Sequence, residues 1–131
     1  RIAFEQVVEP LAREFKPQVI IRNGGSDPHF ADGLTNLGLP IDGFKMIGEK
    51  MRALTQECGC YEIDIIGSGY NIQVLPSAWL ALVSGLAAFG VSVEEPVPVP
   101  AQFAQDLVAD DTEKVVQKLR GYLKDYWACF R

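Results

Sequence analysis

VIIRNGGSDPHFADGLTNLGL, residues 19–39, is the stretch that decides the fold. Three apolar residues, Val19–Ile21, lead into a glycine-rich polar segment that contains Asp27 and the only histidine of the chain, His29. In α/β proteins, ligands bind where a buried parallel strand ends in a glycine turn with polar residues beyond it. The stretch therefore predicts a strand followed by an irregular functional loop that extends to Leu39.

A second stretch, IIGSGYN at residues 65–71, repeats the arrangement of a strand end followed by glycines. It delivers a tyrosine, Tyr70, where the first stretch delivers Asp27. Glycines beside Tyr70 would let its hydroxyl and the backbone approach a substrate closely, although plain packing of the ring is also compatible with the pattern. We expect the two strand ends to form one site.

The rest of the chain predicts helices and one further strand around these stretches. Pro10 falls inside the first helical pattern and should interrupt it. Two strands are too few to bury a parallel sheet on both faces, and the chain opens at Arg1 inside a helical pattern, so we expect a piece of a larger α/β domain. Helices are predicted over residues 2–16, 41–59, 74–89 and 111–126, strands over 19–21 and 61–66, and an extended surface linker over the proline-rich residues 91–100.

Composition narrows the function further. The chain has 131 residues, 48% of them apolar and 22% charged, which fits one globular domain. A net charge of −5 without any basic run argues against a nucleic-acid partner. No apolar run reaches the roughly 20 residues that span a bilayer, and no leader pattern opens the chain, so we expect neither membrane insertion nor secretion.

The cysteines predict a reducing compartment. The chain has an odd number of cysteines, Cys58, Cys60 and Cys129, and the tight Cys-Gly-Cys spacing makes a disulfide framework unfavourable. We therefore expect a cytoplasmic protein. Structural thiols are favoured over a metal site at these cysteines because only one histidine is available to join them.

Several polar residues of the first loop have two possible roles. Asp27 is either a turn residue that caps backbone amides or a ligand or acid–base group at the edge of the sheet. His29 is either a second polar group of that site or a histidine satisfied by loop carbonyls. Asp32 is expected to pin the loop through backbone amides. Nucleophile elbows and phosphate loops are disfavoured because the glycines lack the required spacing and no lysine follows them.

Together the two stretches resemble the zinc-dependent deacetylase superfamily, which includes histone deacetylases, acetoin-utilisation proteins and acetylpolyamine amidohydrolases. Its bacterial members share the pattern Gly-x-Asp-x-His-x-x-Asp-x-Leu, followed further along by Gly-Gly-Tyr-Asn. Residues 25–34 match the first pattern and residues 67–71 the second, and the resemblance covers residues 4–86. It implies an arginase-like, mostly parallel sheet flanked by helices, of which residues 1–131 form the C-terminal segment.

The resemblance also implies roles for two residues. Asp27 falls on the third zinc ligand of the family, and Tyr70 falls on the tyrosine that polarises the acetyl carbonyl and stabilises the oxyanion. Zinc, the implied cofactor, acts in the family as a Lewis acid that also activates water. The family's other two ligands, an Asp-x-His pair, and its catalytic histidine pair belong to the half of the domain that precedes this segment.

Further residues fall on the substrate channel of the family. Leu34 falls on an apolar wall of the channel, and His29 is expected near it although it matches neither the zinc ligands nor the catalytic histidines. Two departures stand out, since Ser68 replaces a glycine and Pro40 replaces a helix-capping threonine. The base of the channel falls on Gly67, Ser68 and Gly69.

The implied function is hydrolysis of acetyl amides of lysine or polyamine type, and we expect this segment alone to be inactive. Its unpaired sheet should expose apolar surface that associates with the N-terminal half of the domain or with another copy. One alternative is a non-catalytic, oligomerising interaction module derived from a deacetylase half. Another is an unrelated hydrolytic enzyme of the α/β class that uses Asp27 and His29 with a nucleophile we do not recognise.

Overall fold

The structure, a computed structural model, describes residues 1–35, 37–103 and 107–131. Within these residues two strands pair in parallel, with Val19 opposite Tyr61, and helices surround them. The α/β class and the parallel pairing that the sequence predicted are confirmed. The elements are α1 (Glu9–Phe15), β1 (Val19–Gly25), α2 (Ile41–Cys58), β2 (Tyr61–Ser68), α3 (Leu75–Ala87) and α4 (Ala109–Leu123), with a π-helical turn at Phe4–Val8 and 3₁₀ turns at Ala101–Phe103 and Ala128–Phe130.

The first helix changes character ahead of Pro10, as its sequence predicted. Proline has no N–H to continue the regular ladder. The turn before it widens, so that the N–H of Glu9 donates to the carbonyl of Phe4, five residues back. α1 then ends at Lys16, which has a left-handed φ of 54°, directly before Pro17.

Both strands are longer than predicted, and a partly buried ion pair joins them within the sheet. Arg22 lies within β1, directly opposite Asp64 of β2. Its guanidinium forms an ion pair with Asp64, and its Nε lies 3.9 Å from a carboxylate oxygen of Glu62. Burial, with Asp64 alongside, raises the pKa of Glu62 above its ordinary value.

Helices α2 and α3 cross closely and form the main core. The side chains at its centre are buried and apolar, namely Ile41, Phe44, Ala78, Ala81 and Leu82. A Cβ on Gly48 would overlap the carbonyl of Leu82, and a Cβ on Gly85 would overlap the carbonyl of Lys45. The larger residues Trp79, Val83 and Leu86 of α3 are only half-buried, because the close crossing admits small residues at its centre.

The C-terminal helix returns to the N-terminal one. α4 begins at Ala109 without a side-chain hydrogen bond that caps it, and Asp111 and Thr112 lie inside the helix. Val116 of α4 is buried against Val7 and Phe130, which forms a second, smaller apolar cluster.

Residues 91–100, here called the strap, form no helix or strand, as predicted. They are not a free surface linker, however, since Val93 packs against the main core and Glu95 forms hydrogen bonds beneath the surface. Among the described residues, none of the helices combines the length and the apolarity that crossing a membrane requires.

One face of the sheet is apolar and open. Side chains alternate along a strand, so every second residue of β1 and β2 projects to this face. The expected exposure of apolar surface is confirmed, with exposed fractions of 65% for Ile21 and 52% for Ile63. The open sheet face consists of Val19, Ile21, Tyr61, Ile63 and Ile65.

The close helix crossing predicts that two Gly→Ala substitutions change the free energy of unfolding in opposite directions. Gly48→Ala should lower the free energy of unfolding by about 1–3 kcal/mol, because the methyl group collides with backbone that cannot move freely. Gly121→Ala in α4 should raise it by about 0.5–1 kcal/mol, because the methyl meets no atom and only removes unfolded-state entropy. Chemical denaturation of both variants provides the test, and equal shifts would contradict the close crossing.

Candidate functional site

The carboxyl ends of β1 and β2 are joined directly. The N–H of Ser26 donates to the carbonyl of Ser68 at 2.8 Å, and the hydroxyl of Ser68 donates to the carboxylate of Asp27. Gly69 has a φ of 139°, and a Cβ there would overlap the hydroxyl of Ser26, so only glycine fits this crossing. The two stretches that the sequence singled out therefore meet at one edge of the sheet.

Asp27 occupies a turn directly beyond β1. The N–H of His29 donates to the carbonyl of Ser26 at 3.0 Å, which leaves Asp27 and Pro28 as the two central residues of the turn. The side chain of Asp27 is half-buried and faces Ser68 of the neighbouring strand. It is thus both a turn residue and a carboxylate at the carboxyl edge of the sheet.

A single buried carboxylate ties the two loops together. Asp32 is 5% exposed; its Oδ1 accepts the N–H of Leu34 at 2.9 Å, and its Oδ2 accepts the N–H of Tyr70 at 2.8 Å. The side-chain amide of Asn71 adds a bond of 2.8 Å to the carbonyl of Ala31. Asp32 pins the loop through backbone amides, as the sequence predicted.

The pKa of Asp32 reflects these bonds. Burial alone would raise it, but the N–H groups that point at the carboxylate, chiefly those of Leu34 and Tyr70, stabilise the charge more strongly. The net result is a pKa below the ordinary value of an aspartate. Asp32 is therefore ionised whenever the protein is folded near neutral pH, and it serves as an anchor.

Tyr70 and Leu34 are presented at the surface on either side of this anchor. Their side chains are 62% and 71% exposed, while their backbones are held by the same carboxylate. Gly67, Ser68 and Gly69 form the end of β2 and the crossing that leads to Tyr70. Fixed backbone with accessible side chains is the arrangement expected of groups that contact a substrate.

His29 does not share this exposure. Its side chain has no exposed surface, its Nε2 lies 2.8 Å from Glu95 and its Nδ1 accepts the N–H of Ala31 at 3.1 Å. The ring also packs on Phe30 and Phe44. The expectation that His29 lines the substrate channel therefore finds no support in its placement. Of the two roles open to it, His29 is a satisfied loop histidine, held by a carboxylate and an amide rather than by carbonyls.

Glu95 is the residue of this region that sequence reasoning missed. Its carboxylate reaches His29 and also accepts the N–H of Ile41 at 2.9 Å. A signal was available, because Val93, Glu95 and Val97 alternate along the strap and are half-buried, whereas the residues between them are exposed. The prolines of this segment favour a surface linker in the sequence, and only the folded chain brings Glu95 to its partners.

This region offers one side chain that is suited to bind a metal ion. Asp27 offers a carboxylate oxygen at the sheet edge, which suits a zinc ligand. In residues 1–35, 37–103 and 107–131, no three His, Cys, Asp or Glu side chains cluster so as to hold a metal ion. Cys58, Cys60 and Cys129 are unbridged, and burial raises the pKa of Cys58, which keeps that thiol protonated.

Comparison with known proteins identifies the family. Residues 1–86, well over half of the chain, match the histone deacetylase domain. The chain belongs to the histone deacetylase domain family. A solved structure of the histone deacetylase Clr3 superposes with a TM-score of 0.70 and 25% identity over 99% of this chain and 20% of that one. This similarity confirms the arginase-like deacetylase fold.

Curated relatives agree with this assignment. The chain is 26% identical to a probable deacetylase of Archaeoglobus fulgidus over 99% of its own length and 38% of that protein. It is 34% identical to the chloroplastic histone deacetylase 10 of Oryza sativa subsp. japonica, covering 60% of this chain and 18% of that protein. It is 37% identical to the acetoin utilization protein AcuC of Bacillus subtilis, covering 59% and 20%. The chain thus spans well under half the length of these relatives.

The anchor predicts a pH-dependent loss of stability. Asp32→Asn should lower the free energy of unfolding by about 2 kcal/mol at neutral pH, because an amide nitrogen would then face one of the two N–H donors. A carboxylate whose folded-state pKa is lowered stabilises the fold above its unfolded-state pKa, and this contribution is lost as pH falls through the folded-state pKa. The two proteins should therefore converge in acid when unfolding is followed by circular dichroism across pH. A difference that is constant with pH would contradict the role of the charge.

Proposed function

We propose that this chain is the C-terminal portion of a zinc-dependent deacetylase that hydrolyses acetyl amides of lysine or polyamine type. The single observation that carries the proposal is the junction of the two strand ends. There Asp27, on one loop, and Tyr70, on the other, are held by bonds that cross between β1 and β2. Membership of the histone deacetylase domain family supports the same chemistry.

Asp27 is the proposed zinc ligand of this segment. The turn directs its carboxylate to the sheet edge, and the hydrogen bond from Ser68 orients one of its oxygens, as neighbours of metal ligands usually do. When bound, zinc would supply a Lewis acid that polarises the acetyl group and activates water. The remaining ligands would come from outside the described residues of this chain.

Tyr70 is the proposed donor to the acetyl oxygen. A phenol hydroxyl held beside the reacting carbonyl stabilises the negative charge that develops on that oxygen in the transition state. Fixing the backbone of Tyr70 through Asp32 reduces the freedom of the ring before substrate arrives. We assign Leu34 to an apolar wall of the acyl-lysine-type substrate channel, and Gly67, Ser68 and Gly69 to its base.

The segment needs the rest of a deacetylase domain to act. It spans 18–38% of the relatives described above, and one carboxylate does not make a zinc site. We propose that the N-terminal half of the domain covers the open sheet face and completes the ligand set. A cytoplasmic location is likewise proposed, supported by three cysteines without a disulfide.

A second candidate function is a non-catalytic, self-associating interaction module. The observation that favours it is again the open sheet face, since exposed apolar patches of this kind mark interaction sites. Beside it, the N-terminal helix and the edge of β1 enclose an apolar groove of about 610 Å³ whose lining includes Phe15, Ile21 and Trp127. Such surfaces bind either a missing part of the same domain or a second copy.

Tyr70→Phe tests the catalytic proposal. In the full-length zinc-loaded protein it should lower kcat on an acetyl-lysine peptide by about 100-fold while leaving KM similar, because the lost hydroxyl acts mainly on the transition state. Tyr122→Phe removes the hydroxyl of an exposed tyrosine on α4 and is the matched control. Undiminished turnover by Tyr70→Phe would refute the role of the hydroxyl.

Ile63→Lys tests the interaction surface. If the open sheet face drives self-association, this change should shift the 131-residue chain from oligomer to monomer in sedimentation experiments, because a charge at its centre must be desolvated on contact. Val115→Lys, on the exposed side of α4, should have no such effect. If Val115→Lys dissociates the oligomer and Ile63→Lys does not, the self-association surface lies on α4 and not on the open sheet face.

A further inference from the structure

The strap reaches the functional loop through one carboxylate. Glu95 Oε1 lies 2.8 Å from His29 Nε2, and Glu95 Oε2 accepts the N–H of Ile41 at 2.9 Å. These contacts bracket the loop, because His29 lies near its start and Ile41 begins α2 immediately after it. Leu39 closes the same region by donating to the carbonyl of Pro28 at 2.9 Å.

The surrounding hydrogen bonds indicate the tautomer of the His29 ring. The N–H of Ala31 donates to Nδ1, so Nδ1 presents a lone pair and the ring proton resides on Nε2. Nε2–H therefore donates to Glu95, and the N–H of Ile41 donates to the other oxygen of the same carboxylate. Both partners of Glu95 are donors, so the position requires two acceptor oxygens, which a carboxylate has and an amide lacks.

His29 is also one end of the turn that presents Asp27. Its N–H closes the turn on the carbonyl of Ser26, while Ser26 is bonded at 2.8 Å to Ser68 of β2. The imidazole is fully buried against Phe44, with ring centroids 6.2 Å apart. One end of the turn is therefore held by the neighbouring strand and the other by the strap, and the direction of Asp27 depends on both.

We propose that Glu95 is a positioning residue for the metal ligand Asp27. It acts through His29, whose tautomer and buried position it fixes. It also acts through the N-terminus of α2, which has no side-chain cap from its own N-cap residue. This inference rests on the proposed function and extends it to a part of the chain outside the two loops. The matching residues 1–86 do not include the strap.

The experiment compares E95Q with S84A in the full-length protein. The hydroxyl of Ser84 donates to the carbonyl of Val91 at 3.2 Å, so S84A loosens the other end of the strap without touching His29. For each variant, the measurements are the dissociation constant of zinc, the Tm of the zinc-free protein, and kcat and KM on an acetyl-lysine peptide. D27N serves as the reference for loss of the ligand itself.

E95Q should weaken zinc binding by about tenfold and lower kcat by a similar factor with little change in KM, as expected when a group that orients a metal ligand is altered. S84A should lower the Tm but keep the zinc affinity and kcat of the wild type. Wild-type zinc affinity and kcat in E95Q, or equal losses in S84A, would overturn the positioning role.

D27N distinguishes an error in the positioning role of Glu95 from an error in the proposed function. If D27N loses zinc while E95Q retains it, the positioning role alone is wrong. If D27N binds zinc as tightly as the wild type, Asp27 is not a ligand, and the proposed function fails together with the role of Glu95.

Discussion

The arrangement of this site depends on the junction between the ends of β1 and β2. Parallel strands place their carboxyl ends at one edge, but they do not by themselves fix the loops that follow. Here the loops are fixed by Ser26 bonded to Ser68 and by the carboxylate of Asp32 bonded to the amide of Tyr70. A charged acceptor buried among backbone donors makes strong hydrogen bonds, so this junction is rigid where the proposed chemistry needs rigidity.

The core formed by α2 and α3 supports the junction at the sheet edge. α2 follows the first loop and α3 follows the second, and their close crossing at Gly48 and Gly85 locks the two βα units together. The strap then lies across the start of α2, where Glu95 supplies acceptors to a helix end and to a buried imidazole. Loops, helices and strap thus form one connected unit around a very small sheet.

The two-stranded sheet is covered on only one of its faces. Both faces of a parallel sheet are normally covered, yet one face of β1 and β2 is apolar and open. The partly buried charges Arg22, Glu62 and Asp64 lie on the other face, so the usual pattern of a charged exposed face is reversed. This polarity supports a further layer over the open face and agrees with the chain spanning only part of its deacetylase relatives.

The sequence by itself determined the order of strands and helices and the place of the two loops, because glycines, prolines and apolar periodicity act locally. The family followed from the resemblance carried by residues 25–34 and 67–71. The sequence also predicted the role of Asp32, since an aspartate in a polar loop seeks nearby amides. Only the tertiary structure decided the positions of Arg22, His29 and Glu95. Each of these side chains is defined by a partner distant in the chain, and a buried charge or imidazole is tolerated only where folding brings that partner to it.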